Sequence, residues 1–128
     1  MTVQSSHGGR SLAIASDVEA RDYWFAELQG GGFRATWRFY AYDHTGLGQY
    51  FAELAAAWRG WDGDKTWEAL EGDVRIAASH DGKGTVAMLV ELRAEPTVRR
   101  DPDWCASVVL TLDAGGLDRL ARAARDGR

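Results

Sequence analysis

The sequence contains little cysteine, proline or lysine. Cys105 is the only cysteine among 128 residues, which excludes a disulfide within the chain and suits a reducing compartment. There are two prolines, and only two of the 15 basic residues are lysines. No run of about 18 apolar residues occurs, so we expect no membrane-spanning helix. The polar residues 1–10 lack the apolar stretch of a secretory signal, and we therefore expect a cytoplasmic protein with no membrane partner.

Composition and charge are typical of one folded domain. The chain is 45% hydrophobic and 27% charged, which matches globular proteins and is too apolar for a disordered chain. We expect a disordered leader at residues 1–10, followed by a single domain at residues 11–126. The formal net charge of −4 argues against a nucleic-acid partner, because phosphate contacts need a basic surface.

A period-two alternation indicates most of the strands. Residues 33–42 alternate between apolar and polar side chains, with Trp37 and Phe39 on the apolar side. Three glycines at residues 30–32 separate this segment from an apolar one at residues 23–28, which predicts a β-hairpin. The same alternation recurs in three later segments, residues 74–79, 86–93 and 104–112.

Two amphipathic helices interrupt the strands. Apolar residues spaced three and four apart form the stripe of the first helix: Leu47, Tyr50, Phe51, Leu54, Ala55 and Trp58. A second helix follows at residues 117–124. We therefore expect an α+β fold, with one antiparallel sheet of about six to seven strands, arranged roughly as βββα-ββββα. Both helices should pack on one face of that sheet.

This arrangement predicts which side chains meet in the core. The core face of the sheet should comprise Trp37, Phe39, Ile76, Met88, Val90, Val108 and Leu110. The helical stripe, Trp58 included, should cover that face. On the second face, Tyr40, Leu89 and Val109 lie among polar neighbours, and a homodimer would cover this partly apolar surface.

The most unusual segment is W-R-G-W-D-G-D-K-T-W-E at residues 58–68, which holds three of the six tryptophans. Tryptophan is enriched at binding hot spots, whereas clustered tryptophans also close the ends of small cores, and both interpretations are open. Under the first, the partner-binding residues are Trp61, Asp62, Asp64, Trp67 and Glu68. Trp61 and Trp67 would then lie at an exposed rim while Trp58 belongs to the core.

No set of residues indicates catalysis, a metal site or a cofactor. Asp62 and Asp64 resemble the opening of a calcium loop, but the sixth position is Trp67 where that loop requires glycine. Nothing in the sequence places a base beside Cys105, so we expect a packed, unreactive thiol. The glycines at residues 30–32 do not open a helix and therefore form no phosphate loop. We expect no catalytic residue, no metal ligand and no cofactor.

Three motifs together carry a resemblance to a family. They are the W-R-G-W-D-G core at residues 58–63, W-E-A-L-E-G-D at residues 67–73, and H-D-G at residues 80–82. With them, most of residues 23–125 resembles a family of short actinobacterial proteins of unknown function. The resemblance implies a compact single domain and implies no catalytic residue.

Two classes of function are compatible with these features. The first is a non-catalytic binding module of the toxin-neutralising immunity type, in which an acidic, tryptophan-bearing surface meets a basic protein. The alternative is a small enzyme or ligand-binding protein with a pocket between sheet and helices. Because no nucleophile–base pair or metal set emerges, we predict binding to a basic protein partner.

Overall fold

The computed structural model describes residues 1–20, 22–41, 46–94 and 103–126, and within them the fold is α+β. The first sheet contains β1 (Thr2–Gln4), β2 (Ser11–Ser16), β3 (Tyr23–Gln29) and β4 (Arg34–Tyr40). The helix α1 (Leu47–Ala56) follows it. The second sheet contains β5 (Lys65–Glu68), β6 (Val74–His80), β7 (Thr85–Ala94) and β8 (Trp104–Asp113). A 3₁₀ turn (Ala114–Gly116) then leads into the helix α2 (Leu117–Asp126).

The strands form two antiparallel sheets of four strands each, in the orders β1-β2-β3-β4 and β5-β6-β7-β8. The α+β class and the antiparallel pairing are confirmed, but the prediction of one sheet with six to seven strands is wrong. The apolar faces of the two sheets share one core, where Phe39 of β4 meets Trp67 of β5 and Trp37 meets Trp104 of β8. Alternation shows only that one face of a strand is buried, so it does not reveal which sheet the strand joins.

The first residues belong to the fold. We expected a disordered leader at residues 1–10, but Val3 is fully buried in β1, which pairs with β2. The backbone N–H of Ser6 donates a hydrogen bond to the carbonyl of Thr111 in β8 (2.8 Å), so this segment also contacts the second sheet. A strand of three residues is too short to show an alternation, which is why the pattern missed it.

The hairpin around the three glycines is confirmed. The strands β3 and β4 pair in register, with Ala26 opposite Trp37. The backbone N–H of Gly30 donates to the carbonyl of Phe33 (3.0 Å) and closes the turn. Tyr40 lies on the outer face of this first sheet, where its ring contacts Tyr23 edge-on at 5.5 Å. It therefore does not share a face with Leu89 and Val109, which belong to the second sheet.

The helix α1 buries its stripe as predicted, except at its end. Leu47, Tyr50, Phe51 and Leu54 are buried. The α-helix ends at Ala56, and the chain continues through tighter bonds, because the N–H of Trp58 donates to the carbonyl of Ala55 (3.3 Å). A turn of about three residues rotates the next side chains away from a 3.6-residue stripe. Trp58 consequently leaves the core, where the sequence had placed it, and is 49% exposed.

The alternation correctly predicted which strand side chains face the core. Six of its seven predicted members are buried: Phe39, Ile76, Met88, Val90, Val108 and Leu110. The seventh, Trp37, is half-buried and packs against them. Their assignment to a single sheet is corrected, because Trp37 and Phe39 come from the first sheet and the others from the second.

Candidate functional site

The segment that follows α1 presents one large indole to solvent. Trp58 is 49% exposed, and the guanidinium carbon of Arg59 lies 5.3 Å from the centre of its indole ring. Gly60 has a φ of 144°, a conformation that side chains other than glycine's rarely adopt, and it turns the chain back toward the second sheet. The result is an exposed tryptophan next to a basic side chain.

Two aromatic contacts hold this segment to the end of β6. The indole N–H of Trp61 donates to the carbonyl of Ala78 (3.1 Å), and its half-buried ring meets the imidazole of His80 edge-on at 5.2 Å. Nδ1 of His80 accepts a hydrogen bond from the N–H of Gly82 (2.8 Å). Nε2 therefore carries the ring proton and donates it to the carbonyl of Trp58 (2.8 Å). Both ring nitrogens thus serve to position the turn.

The acidic turn itself is exposed. Asp62 and Asp64 both point into solvent, and the ammonium of Lys65 lies 6.0 Å from the ring centre of Trp61. Below the turn, the hydroxyl of Tyr50 donates to the carbonyl of Lys65 (2.9 Å). Burial and, to a smaller extent, the negative charge of Asp64 raise the pKa of Tyr50 above its ordinary value. The phenol therefore stays protonated and keeps this bond.

The remaining predicted contact residues lie elsewhere. Trp67 is only 7% exposed and packs against Phe39, with ring centres 6.3 Å apart, so its assignment to an exposed rim is wrong. Glu68 is exposed on the outer face of β5 and pairs with Arg75 at 3.6 Å. Of the five residues predicted to bind a partner, the turn therefore brings together Trp61, Asp62 and Asp64.

A groove that the sequence did not reveal adjoins Trp58. A cleft of about 200 Å³ is lined by Trp58, Ala55, Ala114, Gly115 and Asp118. It shares Ala55 and Asp118 with a larger groove of about 650 Å³ between α1 and α2. The lining of that larger groove also includes Gly48, Gln49, Ala52, Ala56, Ala121, Arg122 and Arg125. Its floor of alanines depends on how the two helices pack, and no local pattern predicts this packing.

Nucleophilic and metal-ligating side chains stay apart in the described part of the chain. Within it, no three His, Cys, Asp or Glu side chains converge in a way that could hold a metal ion. Cys105 is exposed on β8, opposite Arg93 of β7, so the expectation of a packed thiol is wrong. The imidazole of His80 is occupied by two backbone partners.

The comparison with known families covers nearly the whole chain. A family model described as a family of unknown function (DUF6228) matches residues 4–126, and the chain belongs to that family. No curated protein matches the chain. Among the helices that the structure describes, none combines the length and the apolar character that a membrane crossing requires.

Proposed function

We propose that this member of the DUF6228 family is a non-catalytic binding module, and that its partner binds at four residues: Trp58, Trp61, Asp62 and Asp64. We call these the Trp–Asp surface. The observation that carries the proposal is the half-exposed indole of Trp58 beside an acidic turn that is held in place by hydrogen bonds. Tryptophan anchors flanked by charge are typical of binding hot spots.

The rigidity of the turn supports the same function. The bonds from Trp61 to Ala78 and from His80 to Trp58 fix the turn before any partner arrives. A surface that is already ordered loses less conformational entropy on binding. The carboxylates of Asp62 and Asp64, together with a net charge of −4, favour a basic partner and accelerate its approach.

The biological setting is part of this proposal. One free cysteine and an acidic surface suit a cytoplasmic protein that neutralises a basic toxin, as immunity proteins do. The motif W-R-G-W-D-G at residues 58–63, which resembles actinobacterial proteins, contains three of the four residues of the Trp–Asp surface. A net negative charge also favours a protein partner over a nucleic acid.

Removal of the acidic charge tests the proposal. The bait is the whole chain, used for affinity capture from the source organism, as the wild type and as the variant Asp62→Ala/Asp64→Ala. A matched control, Glu19→Ala/Asp22→Ala, removes the same charge from exposed residues between β2 and β3. We expect one protein to be captured by the wild type and the control but lost or reduced with the first variant.

The captured partner is then purified and its association rate is measured at two salt concentrations. At low salt we expect the Asp62→Ala/Asp64→Ala variant to associate several-fold more slowly than the control, and the difference should shrink as salt screens the charges. Trp58→Ala should instead accelerate dissociation. Equal rates for both double variants, or an unchanged dissociation rate for Trp58→Ala, would contradict the proposal.

An alternative function rests on the groove between α1 and α2. Its volume of about 650 Å³ lies within the range of small-molecule sites, roughly 300–1,000 Å³. A small enzyme or ligand-binding protein would use this groove. The substitution Ala121→Trp would fill the groove while sparing the Trp–Asp surface. Saturable binding of a small molecule that Ala121→Trp abolishes and Asp62→Ala/Asp64→Ala retains would favour the groove.

A homodimer through the outer face of the second sheet is also part of the proposal. Ala77, Leu89 and Val109 lie directly opposite one another on β6, β7 and β8, and both larger side chains are exposed. Sedimentation equilibrium should show a dimer that Leu89→Glu dissociates and that Thr85→Glu, at the end of β7, does not. A wild-type chain that stays monomeric at every concentration would contradict the dimer.

A further inference from the structure

A buried carboxylate lies at the end of β6 remote from His80. Asp73, which directly precedes β6, is only 6% exposed. Its Oδ2 accepts a hydrogen bond of 2.7 Å from the indole N–H of Trp37. Its Oδ1 is fully buried and has no hydrogen-bond partner. No ion pair joins Asp73 to a basic side chain of the described segments.

Burial of a carboxylate with an unpartnered oxygen costs free energy of folding. An unmade hydrogen bond to a buried polar group costs about 1–3 kcal/mol, and more when the group is charged. Buried carboxylates are therefore normally paired with a cation or hydrogen-bonded at both oxygens. Among the described residues, the one side-chain partner of this carboxylate is the neutral donor on Oδ2, so a cationic donor to Oδ1 would offset the cost of its burial.

Two indole rings adjoin this carboxylate, Trp37 directly and Trp104 through its contact with Trp37. The rings of Trp37 and Trp104 meet edge-to-face, with their centres 5.9 Å apart and their planes at 89°. Trp104 is 39% exposed and is the solvent-facing member of this group, whereas Trp37 reaches inward to the carboxylate. Indole faces attract cations more strongly than the other aromatic rings do. A carboxylate beside perpendicular indoles is the chemistry that recognises an organic cation.

We propose that Asp73, Trp37 and Trp104 bind an organic cation that carries N–H donors, namely a guanidinium or a primary ammonium group. An N–H of the ligand donates to Oδ1, the positive charge offsets the carboxylate, and the apolar stem lies against Trp104. Because Oδ1 is buried in the free chain, the side chains that cover it must move for the ligand to enter. A water molecule in its place would supply a donor but no counter-charge.

This site is independent of the proposed function. The strand β6 has seven residues from Val74 to His80, so at a rise of about 3.3 Å per residue the cation site and the Trp–Asp surface lie roughly 20 Å apart. Failure of the cation site would therefore leave the proposed partner binding untouched, and the reverse also holds.

Titration of the labelled chain with ethylguanidinium tests the proposal. The indole N–H resonance of Trp37, assigned from the spectrum of Trp37→Phe, should shift and saturate at millimolar ligand and constant ionic strength. The neutral analogue ethylurea should cause no saturable shift, and tetramethylammonium, which lacks N–H donors, should bind at least about tenfold more weakly. A short peptide, acetyl-Gly-Arg-Gly-amide, distinguishes an arginine side chain from a free small molecule as the source of the cation.

Two variants and one matched control complete the test. Asp73→Asn keeps an acceptor for Trp37 but removes the charge, and it should weaken ethylguanidinium at least about tenfold. Glu71→Gln removes an exposed charge from the same loop and should leave the affinity unchanged. Trp104→Leu should weaken binding several-fold, and it serves as the second variant if Asp73→Asn does not fold. Absent saturation, equal response to ethylurea or tetramethylammonium, or full affinity in Asp73→Asn would overturn the proposal.

Discussion

The two tryptophans Trp58 and Trp67 should differ sharply in what their removal costs. Trp67 is 7% exposed and contacts Phe39 between the sheets, so Trp67→Ala leaves a cavity and should cost about 3–5 kcal/mol. Trp58 is 49% exposed and touches Arg59 and the lining of an open cleft, so Trp58→Ala leaves no enclosed cavity and should cost less, about 1–2 kcal/mol. The difference should therefore be at least about 1 kcal/mol.

Urea unfolding followed by far-ultraviolet circular dichroism measures both costs without relying on tryptophan emission. A domain of this type is stable by about 5–15 kcal/mol, so Trp67→Ala removes a large fraction and Trp67→Phe provides a milder second variant. The m value should not change, because the unfolded surface is nearly the same. Equal costs for Trp58→Ala and Trp67→Ala would refute the assignment of Trp67 to the core and of Trp58 to the surface.

Three further predictions concern the fold. Leu54 is fully buried, so Leu54→Ala should lower the unfolding free energy by about 2–5 kcal/mol in the same urea assay, whereas a cost below about 1 kcal/mol would contradict its packing. Deletion of residues 1–4 removes the buried Val3 and should cost at least about 1.5 kcal/mol, and an unchanged urea midpoint would argue that β1 is dispensable. Hydrogen bonds from the N–H groups of Thr85 and Lys83 hold the pKa of Asp81 below its ordinary value. The stabilisation by Asp81 is therefore present above that ordinary value, near 3.8, and disappears as the pH falls through the lowered pKa. Asp81→Ala should thus reduce Tm at neutral pH and converge with the wild type in acid, and a pH-independent difference would contradict this.

Local sequence patterns correctly predicted the features of the fold that depend on residues close together in the sequence. The hairpin of β3 and β4 and the buried stripe of α1 followed from periods of two and 3.6 residues, because these periods reflect backbone geometry. The same logic failed at Trp58, since the stripe was extended beyond Ala56, where the chain tightens and the helical period no longer applies. The residue at which a helix ends depends on capping and packing, and the spacing of apolar residues does not reveal it.

Contacts between residues far apart in the sequence could not be predicted from local patterns. The sequence predicted an exposed Trp67, but Phe39 of the other sheet packs against its ring and buries it. The bond from Trp37 to Asp73 joins residues 36 positions apart. In the sequence Asp73 is one of several acidic residues near the tryptophans, so nothing distinguishes it before the two sheets are packed together.

The two candidate sites should act independently, because a rigid strand separates them. The Trp–Asp surface lies near the His80 end of β6 and Asp73 lies at the other end, roughly 20 Å away. Substitutions this far apart, with no shared partner, usually add within about 0.3–0.5 kcal/mol. The chain that combines Asp62→Ala/Asp64→Ala with Asp73→Asn should therefore show the sum of the separate changes in unfolding free energy. It should bind ethylguanidinium as Asp73→Asn alone does. Coupling well above about 0.5 kcal/mol would mean that β6 transmits a structural change between its ends, and it would contradict the independence of the two sites.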